Sequence, residues 1–464
     1  MCTCLIAGRK ATSSGRVLLA ANDDWDGVPG LLAHVPRQRH AEEETYLLVG
    51  GRRIPQASET CGYSYTACGY AIGSRDNAWA GGVNDCGVAA AGTGASAFKE
   101  IDSAGAWLEP DDILLLLLQR AHSARAGIRM IGELVERYGF TVSGLDGCES
   151  AATFAVADSE EGWFLEMAPG AHWVAVRVPD GEAGIRTNAF CTHDADLTDT
   201  ENVMASPGLA EYARSRGWWD GDVRHFDFAA AYGAERSPNE WGPELDPMNM
   251  RRRWRAMSLL SGRETPEDAL LYSVRPNRPL EPSDFMGILR DVYEGTPYDL
   301  RAAPAAGRYG NPFHDNPASY SLCRHATVAS FVADFSPPGP GVMWTAMASP
   351  AMSCYIPLYA DIDALPEVCS NTEPGAEGAP SLFWEWKELG YLTQRRYERY
   401  AAIVSGAAEA YEARMAAALR EEADALAALP ETERRARRTQ LTARRLEEAR
   451  DLCRSLRVQL DKLY

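Results

Sequence analysis

The amino terminus, "MCTC", carries two thiols within four residues. Removal of Met1 would expose Cys2, which would then hold a thiol nucleophile and a free α-amine on one residue. An α-amine has an ordinary pKa of about 7.7–8.0, so it can accept a proton near neutral pH. Cys4 has an amide nitrogen instead and cannot do this. The terminus therefore allows covalent catalysis by Cys2. Position alone favours the alternative, that Cys2 is a terminal residue without a function, because chain ends fray.

Three acids, Asp23, Asp24 and Asp26, stand in "AANDDWDG", which closes the second predicted strand. An acid at this strand end, Asp23 or Asp24, could orient the α-ammonium group of the first strand. A solvated loop or a helix cap is the alternative interpretation. His34 is the nearest histidine along the chain, so this stretch does not favour a metal site.

Amide and guanidinium groups follow further along the chain. Asn84 in "GGVNDCG" and Asn188 in "RTNAF" end predicted strands, where a carboxamide could polarise a substrate carbonyl. Taken alone, each is more typical of a turn-forming asparagine. One arginine of "NMRRRWRAM" could bind a carboxylate as a fork, while a solvated helix face explains the others.

Other catalytic patterns are not found in the sequence. The eight histidines form no HExxH pair, and neither a GxSxG nucleophile elbow nor a P-loop occurs. The eleven cysteines are odd in number and form no CxxC motif, which argues against a zinc ribbon and a disulfide framework. We therefore expect no metal, no cofactor and a reducing, cytoplasmic setting.

Composition limits the partners of the chain. Its 464 residues are 46% hydrophobic and 24% charged, as in a globular protein, and the net charge is −19. Nucleic acids and anionic membranes bind basic surfaces, so neither is expected as a partner. No signal peptide and no apolar run of 18 residues is apparent.

Strands and helices alternate in a way that predicts an α+β fold. A hairpin is expected at 3–8 and 16–21, with further strands up to residue 190. Helices are predicted at 110–138, 247–260, 282–293 and 323–333, and 300–322 is predicted to be a long loop. Ala-, Glu- and Arg-rich helices follow from about 382 and are interrupted at Pro430.

Seven segments in one order resemble the dipeptidase A and secernin family of N-terminal nucleophile (Ntn) cysteine hydrolases, which is related to penicillin V acylases and bile salt hydrolases. The resemblance covers roughly residues 2–360. The segments are "MCTCLIAGRKATSSGRVLLAANDD", "WAGGVNDCGVAAAGT", "EGWFLEMAPGAHWVAVRVPDG", "TNAF", "RRRWRAM", "LRDVYEGTPYDL" and "VMWTAMASPAMSCYIPLY".

The resemblance implies a role for each candidate residue. Cys2 would be the nucleophile, with its own α-amine as base, and Asp24 would hold that amine or the thiol. Asn84 would match the oxyanion-hole asparagine and Asn188 the asparagine that binds the amine of the nucleophile. The arginine near the nucleophile is aligned with Arg252, with Arg251 and Arg253 as one-residue alternatives.

One position departs from the pattern of the related acylases. Ala21 stands where they carry an arginine, and an arginine there could lower the pKa of the thiol. This difference weighs against bile salt or penicillin acylase activity more than against dipeptidase activity.

The implied fold is a four-layer αββα sandwich over residues 1–381, followed by a helical C-terminal extension over 382–464. The implied function is a cysteine dipeptidase or amidohydrolase acting on a small peptide or amide. A specialised acyl-amide hydrolase, an acyltransferase and a non-catalytic interaction protein are the alternatives. The C-terminal helices either mediate a homo-oligomer or pack back on the domain.

Overall fold

The computed structural model describes residues 2–69, 78–95, 101–142, 151–233, 247–269, 271–302, 304–313, 320–372 and 380–463. The chain forms two compact units, each assembled from three stretches. The first unit comprises Met1–Leu19, Gln38–Cys61 and Val88–Glu281, and the second comprises Ala20–Arg37, Gly62–Gly87 and Pro282–Tyr464. The predicted boundary at 381/382 stays a prediction.

The strands within the described residues are, in chain order, β1 (Thr3–Ala7), β2 (Leu18–Asp24), β3 (Gly30–Val35), β4 (Gln38–Arg39), β5 (Thr45–Leu47), β6 (Arg53–Pro55), β7 (Glu59–Thr60), β8 (Tyr63–Cys68), β9 (Ala78–Asn84), β10 (Ala89–Ala95), β11 (Ala151–Ala157), β12 (Gly162–Ala168), β13 (His172–Arg177), β14 (Ala183–Arg186), β15 (Val203–Ala205), β16 (Thr327–Asp334), β17 (Val342–Met347) and β18 (Ile356–Tyr359).

The helices within the same residues are α1 (Pro110–Arg120), α2 (Ala124–Tyr138), α3 (Leu209–Ser215), α4 (Phe228–Tyr232), α5 (Pro247–Ser261), α6 (Pro282–Leu289), α7 (Leu382–Gln394), α8 (Tyr397–Ala427) and α9 (Glu431–Leu463). Short 3₁₀ turns lie at Arg9–Ala11, Val223–His225, Arg308–Gly310, Pro350–Met352 and Glu367–Cys369.

The first unit contains an antiparallel ladder in the order β15-β13-β12-β11-β10. Its turns are set by local chemistry. Between β11 and β12, the side chain of Asp158 accepts hydrogen bonds from the backbone N–H groups of Glu160 and Glu161, at 2.9 and 3.0 Å. The Asp158 side chain thus takes the place of a backbone acceptor in the turn. Ala157 and Gly162 lie opposite each other where the two strands meet this turn.

The two faces of this ladder meet different partners. Gly162 lies so close to Ile6 of β1 that an added Cβ would be 2.5 Å from its side chain. The next residue, Trp163, lies under the guanidinium of Arg125 on α2. Because successive strand residues point to opposite faces, α2 covers one face and β1 the other. With α5 packed on β14, the partner of β1, the first unit has helix, sheet, sheet and helix layers.

The second unit has two antiparallel ladders, β9-β8-β3 and β2-β16-β17-β18. Strand β16 packs against β3 at Gly30, whose added Cβ would be 2.6 Å from the carbonyl oxygen of Val328. Helices α6, α7 and α9 pack on β16, β17 and β18. The C-terminal helices thus lie against strands of their own unit, as the second of the two sequence interpretations expected.

The predicted helix over 323–333 is wrong, because this segment forms a turn followed by strand β16. All eight residues of β16 are buried, so the strand shows no alternation of apolar and polar residues that would have identified it. Its β-branched and aromatic residues, Thr327, Val328, Phe331 and Val332, favour the strand.

Other helix predictions hold with changed limits. The helix over 110–138 is two helices, since Ala121 is extended and Ser123 caps α2 through a bond from the N–H of Ala126. The interruption at Pro430 is confirmed, because α8 ends at Ala427 and α9 begins at Glu431. None of the helices in the described stretches is long and apolar enough to cross a membrane.

Candidate active site

The N-terminal strand of the first unit buries the start of the chain. Cys2 precedes β1 and is only 3% exposed, and every residue of β1 is buried. Strand β1 pairs with β14, so that Cys4 lies opposite Arg186. Cys2 and β1 are therefore packed in the fold rather than part of a frayed end. Met1 lies outside the described residues.

A guanidinium group from α5 binds this terminus. Arg252 is fully buried, and its Nη1 donates to the backbone oxygen of Cys2 at 2.9 Å and to Oγ1 of Thr3 at 3.1 Å. Its Nη2 donates to Oδ1 of Asn188 and to Oδ1 of Asn249, both at 2.9 Å. Its Nε donates to the carbonyl oxygen of Met248 within the same helix. All five N–H groups of the guanidinium thus have acceptors.

Asn188 joins three elements of the first unit. It lies just after β14, and its Nδ2 donates to the carbonyl oxygen of Gly94 in β10 at 3.1 Å. Its backbone N–H donates to Oδ1 of Asn249 at 3.0 Å. These bonds reach 61 to 94 residues along the chain, whereas a turn-forming asparagine would bond within a few residues.

Asn249 was not among the residues predicted from the sequence. It lies three residues before Arg252 on α5, so both side chains are on one face of the helix. Its Oδ1 accepts from both Arg252 and Asn188, which fixes the amide and the guanidinium relative to each other. The i, i+3 spacing in "NMRR" was the available signal.

A buried ion pair holds the loop that carries Asn188. Glu166 of β12 accepts from Nε of Arg186 at 3.3 Å and from the backbone N–H groups of Cys191 and Thr192, at 2.7 and 3.2 Å. The guanidinium of Arg186 also lies 4.2 Å from the centre of the Tyr272 ring. Sequence spacing gives no hint of this pair, because its members come from different strands.

The arginines of the "RRR" run have different partners. It is Arg252 that binds Cys2, whereas Nη2 of Arg253 donates to the carbonyl oxygen of Leu271 at 3.3 Å. Arg251 is half-buried on the same helix. The catalytic roles assigned to these residues stay predictions.

The two predicted acids lie in the second unit, at the end of β2. Both are buried, which rules out the solvated-loop alternative for them. Oδ1 of Asp24 accepts from Oγ1 of Thr327 at 2.6 Å, and Oδ2 of Asp23 accepts from Oγ1 of Thr66 at 3.1 Å. Asp24 is thereby held by the first residue of β16.

Asn84 ends β9 in the second unit and is fully buried. Its Oδ1 accepts from the backbone N–H of Cys86 at 3.1 Å, and its carbonyl oxygen accepts from the N–H of Gly87 at 3.0 Å. Asn84 therefore takes part in the turn that follows β9, and its oxyanion-hole role stays a prediction. Because Oδ1 is fixed by the turn, the orientation of the Nδ2 donor is fixed as well.

The family model "Peptidase family C69" matches residues 1–410. The chain belongs to peptidase family C69. This family C69 member is therefore a peptidase, and the resemblance found in the sequence is confirmed.

Several relatives cover most of this C69 chain. It is 24% identical to "Probable dipeptidase" of Latilactobacillus sakei over 85% of this chain and 81% of the relative. It is 23% identical to "Probable dipeptidase A" of Streptococcus pyogenes, over 86% and 84% of the two chains. The chain is also similar to a solved structure, penicillin V acylase from Agrobacterium tumefaciens, with 12% sequence identity and a TM-score of 0.36. The superposed region spans 81% of this chain and 89% of the acylase chain.

Proposed function

We propose that this C69 peptidase is a cysteine dipeptidase that cleaves a small peptide through Cys2 after Met1 is removed. The observation that carries the proposal is the buried Arg252 guanidinium, which binds the backbone of Cys2 and the side chain of Asn188 at once. Burial of a guanidinium lowers the stability of the fold unless its N–H groups are hydrogen-bonded. All five N–H groups of Arg252 have acceptors, and these acceptors hold the guanidinium in one position. That arrangement suits a nucleophile that must stay in one position.

The proposed route has two covalent steps. The α-amine takes the thiol proton, and Sγ of Cys2 bonds to the scissile carbonyl carbon while Nδ2 of Asn84 donates to the oxyanion. The C–N bond then breaks, and the leaving amine takes the proton from the α-ammonium. Water attacks the thioester with the α-amine as base, which releases the acid and restores the thiol. The route uses no metal or cofactor.

Two further residues would serve the α-amine. An amide oxygen has two lone pairs, so Oδ1 of Asn188 can accept from the α-ammonium while it accepts from Arg252. Asp24, held by Thr327, would supply the carboxylate that stabilises the ammonium or the thiol.

Cys2→Ala tests the proposal. It should abolish dipeptide hydrolysis while the far-ultraviolet circular dichroism stays unchanged, because the variant removes only the thiol. Cys4→Ala is the matched control and should keep activity, since Cys4 has no α-amine. Full activity of purified Cys2→Ala protein, or a retained Met1 in the intact mass of active enzyme, would refute the N-terminal mechanism.

The substrate class and setting are part of the proposal. Products identified by mass from a panel of dipeptides and N-acyl amides would separate a dipeptidase from an acyl-amide hydrolase or an acyltransferase. We infer dipeptides because the curated relatives carry that name. A cytoplasmic setting and a homo-oligomer through the C-terminal helices stay predictions.

A further inference from the structure

The turn that follows β9 is bonded to the C-terminal helix α9. Asp85 comes directly after Asn84, and its carboxylate is buried, with a side chain that is 1% exposed. Nη2 of Arg435, near the start of α9, donates to Oδ2 of Asp85 at 2.6 Å. Both residues belong to the second unit, and Arg435 lies beyond residues 1–410, the part of the chain that matches the family model. A residue of the C-terminal helices therefore contacts the neighbour of Asn84 directly.

A second guanidinium holds the same carboxylate. Nε and Nη2 of Arg37 donate to Oδ2 and Oδ1 of Asp85, at 3.0 and 2.6 Å. The backbone N–H of Asp85 donates to the carbonyl oxygen of Gly62 at 2.7 Å. Bonds between guanidinium and carboxylate groups are charge-assisted and directional. Asp85 is therefore fixed by its backbone and by two guanidinium groups, of which one comes from α9.

The position of Asp85 sets the orientation of the Asn84 amide. Oδ1 of Asn84 accepts from the backbone N–H of Cys86 at 3.1 Å, and its carbonyl oxygen accepts from the N–H of Gly87 at 3.0 Å. Asp85 stands between these residues in the chain, so a shift of Asp85 moves the Cys86 amide to which Oδ1 is bonded. Because Oδ1 and Nδ2 belong to one planar amide, the direction of the Nδ2 donor depends on the bonds that hold Asp85.

A second arginine of α9 supports the same turn through the loop between β16 and β17. Nη2 of Arg438 donates to the carbonyl oxygen of Pro338 at 2.6 Å. Pro340, two residues further on, lies so close to Gly87 that a Cβ added to Gly87 would be 3.5 Å from its Cα. Arg438 follows Arg435 by three residues, so the two arginines lie on one face of α9. Helix α9 thus supports the turn through an ion pair and through the loop that packs against it.

We propose that Arg435 is a positioning residue for Asn84, so that helix α9 orients the Nδ2 donor. The inference rests on the proposed function, in which this donor binds the oxyanion, and deepens it by giving the C-terminal helices a part in the reaction. Arg435 acts through Asp85 and is not itself a catalytic residue. An oxyanion donor stabilises the transition state more than the bound substrate, so the effect of Arg435 belongs to kcat rather than to KM.

Arg435→Met tests the inference in the full-length protein. The variant removes the bond to Asp85, while Arg37 still holds the carboxylate. Removal of a whole oxyanion donor lowers kcat by about 100- to 1,000-fold, and a donor that is present but misdirected should lower it less. We expect kcat for a dipeptide to fall by about 10-fold, with KM changed by less than about 2-fold. Arg435→Lys should restore part of kcat, because lysine supplies a point charge without the planar fork.

A double-mutant cycle separates positioning from a general loss of structure. Asn84→Ala removes the donor, so adding Arg435→Met to it should change kcat by less than about 2-fold if Arg435 acts through Asn84. The inference is overturned if Arg435→Met lowers kcat as much in the Asn84→Ala background as in the wild type. It is also overturned if Asn84→Ala lowers kcat and Arg435→Met alone does not.

The matched control is Arg450→Met on the same helix. Arg450 is also buried and forms a bidentate pair with Glu385, through Nε at 2.9 Å and Nη2 at 2.8 Å. This variant breaks a comparable ion pair of α9, 15 residues after Arg435, and kcat should stay within about 2-fold of the wild type. An equal loss of kcat in Arg450→Met and Arg435→Met would assign the effect to α9 as a whole and contradict the inference.

Hydrogen exchange followed by mass spectrometry separates this inference from the proposed function. If the wild type cleaves no dipeptide, or if Asn84→Ala keeps full kcat, the proposed function or its oxyanion donor fails, and the amides of Cys86 and Gly87 decide the inference. Exchange that is faster by about 10-fold or more at these amides in Arg435→Met, but not in Arg450→Met, supports it. Unchanged exchange in Arg435→Met overturns it. Arg435→Gln serves in both assays if Arg435→Met does not fold.

Discussion

Asn249→Ala should be one of the most damaging single substitutions on α5, although Asn249 has no role in the chemistry. Its Oδ1 accepts from Nη2 of Arg252 at 2.9 Å and from the backbone N–H of Asn188 at 3.0 Å. The substitution leaves two buried donors without this acceptor, one of them charged. At roughly 1.5–3 kcal/mol for a bond from a charged group and 1–3 kcal/mol for a buried neutral donor left unsatisfied, we expect a loss of about 3–5 kcal/mol in the free energy of unfolding.

The same substitution should lower activity. Without Asn249, the guanidinium and the Asn188 loop lose their common acceptor and shift relative to Cys2. Displacements near 1 Å at a catalytic group can reduce rates about 100-fold, so we expect kcat/KM on a dipeptide to fall by about 10- to 100-fold. Asn249→Asp keeps an oxygen in the same place and should keep most of the stability.

Urea denaturation followed by tryptophan fluorescence measures the free energy of unfolding. The control is Asn202→Ala, because Asn202 also accepts from an arginine, Nε of Arg177 at 3.1 Å, but is half-buried. Its cost should stay below about 1 kcal/mol. The reasoning is refuted if Asn249→Ala costs no more than Asn202→Ala, or if Asn249→Asp is as damaging as Asn249→Ala.

Two further predictions concern buried charge in the first unit. Glu166→Gln should lower the free energy of unfolding by about 3–5 kcal/mol, because it leaves Arg186 buried without its counter-ion. The control is Glu160→Gln, at an exposed pair with Arg9, which should lower it by less than about 1 kcal/mol. Equal losses for the two variants in urea denaturation would contradict this reasoning. Burial lowers the pKa of His172 from its ordinary 6.5 to about 4, so its contribution to stability is present above pH 6.5 and is lost as the pH falls towards 4. Proton NMR of the imidazole should give a midpoint near 4, and a midpoint near 6.5 would exclude the shift.

Much of the site could be predicted because its residues follow one order along the chain. Cys2, Asn188 and Arg252 were all candidates from sequence, and the structure groups them around one guanidinium. The choice among three successive arginines needed the hydrogen-bond partners, because Arg252 and Arg253 are both buried and only Arg252 is seen to donate to Cys2. Asn249 could have been found from its spacing to Arg252.

The remaining features could not be predicted from the sequence, and the reasons are physical. Strand β16 is buried on both faces, so its pattern does not separate a strand from a buried helix. Glu166 and Arg186 meet only because β12 and β14 bring them together, and no local rule links them.

The bond between Arg252 and Cys2 joins residues that are 250 positions apart, and this sets an order of events during synthesis. At about 5–20 residues per second, α5 is made on the order of ten seconds or more after the amino terminus. Until then the backbone oxygen of Cys2 has no contact with Arg252. Once α5 has docked, Cys2 is buried. The bond from Arg252 to the backbone of Cys2 can therefore form only after more than half of the chain has been made.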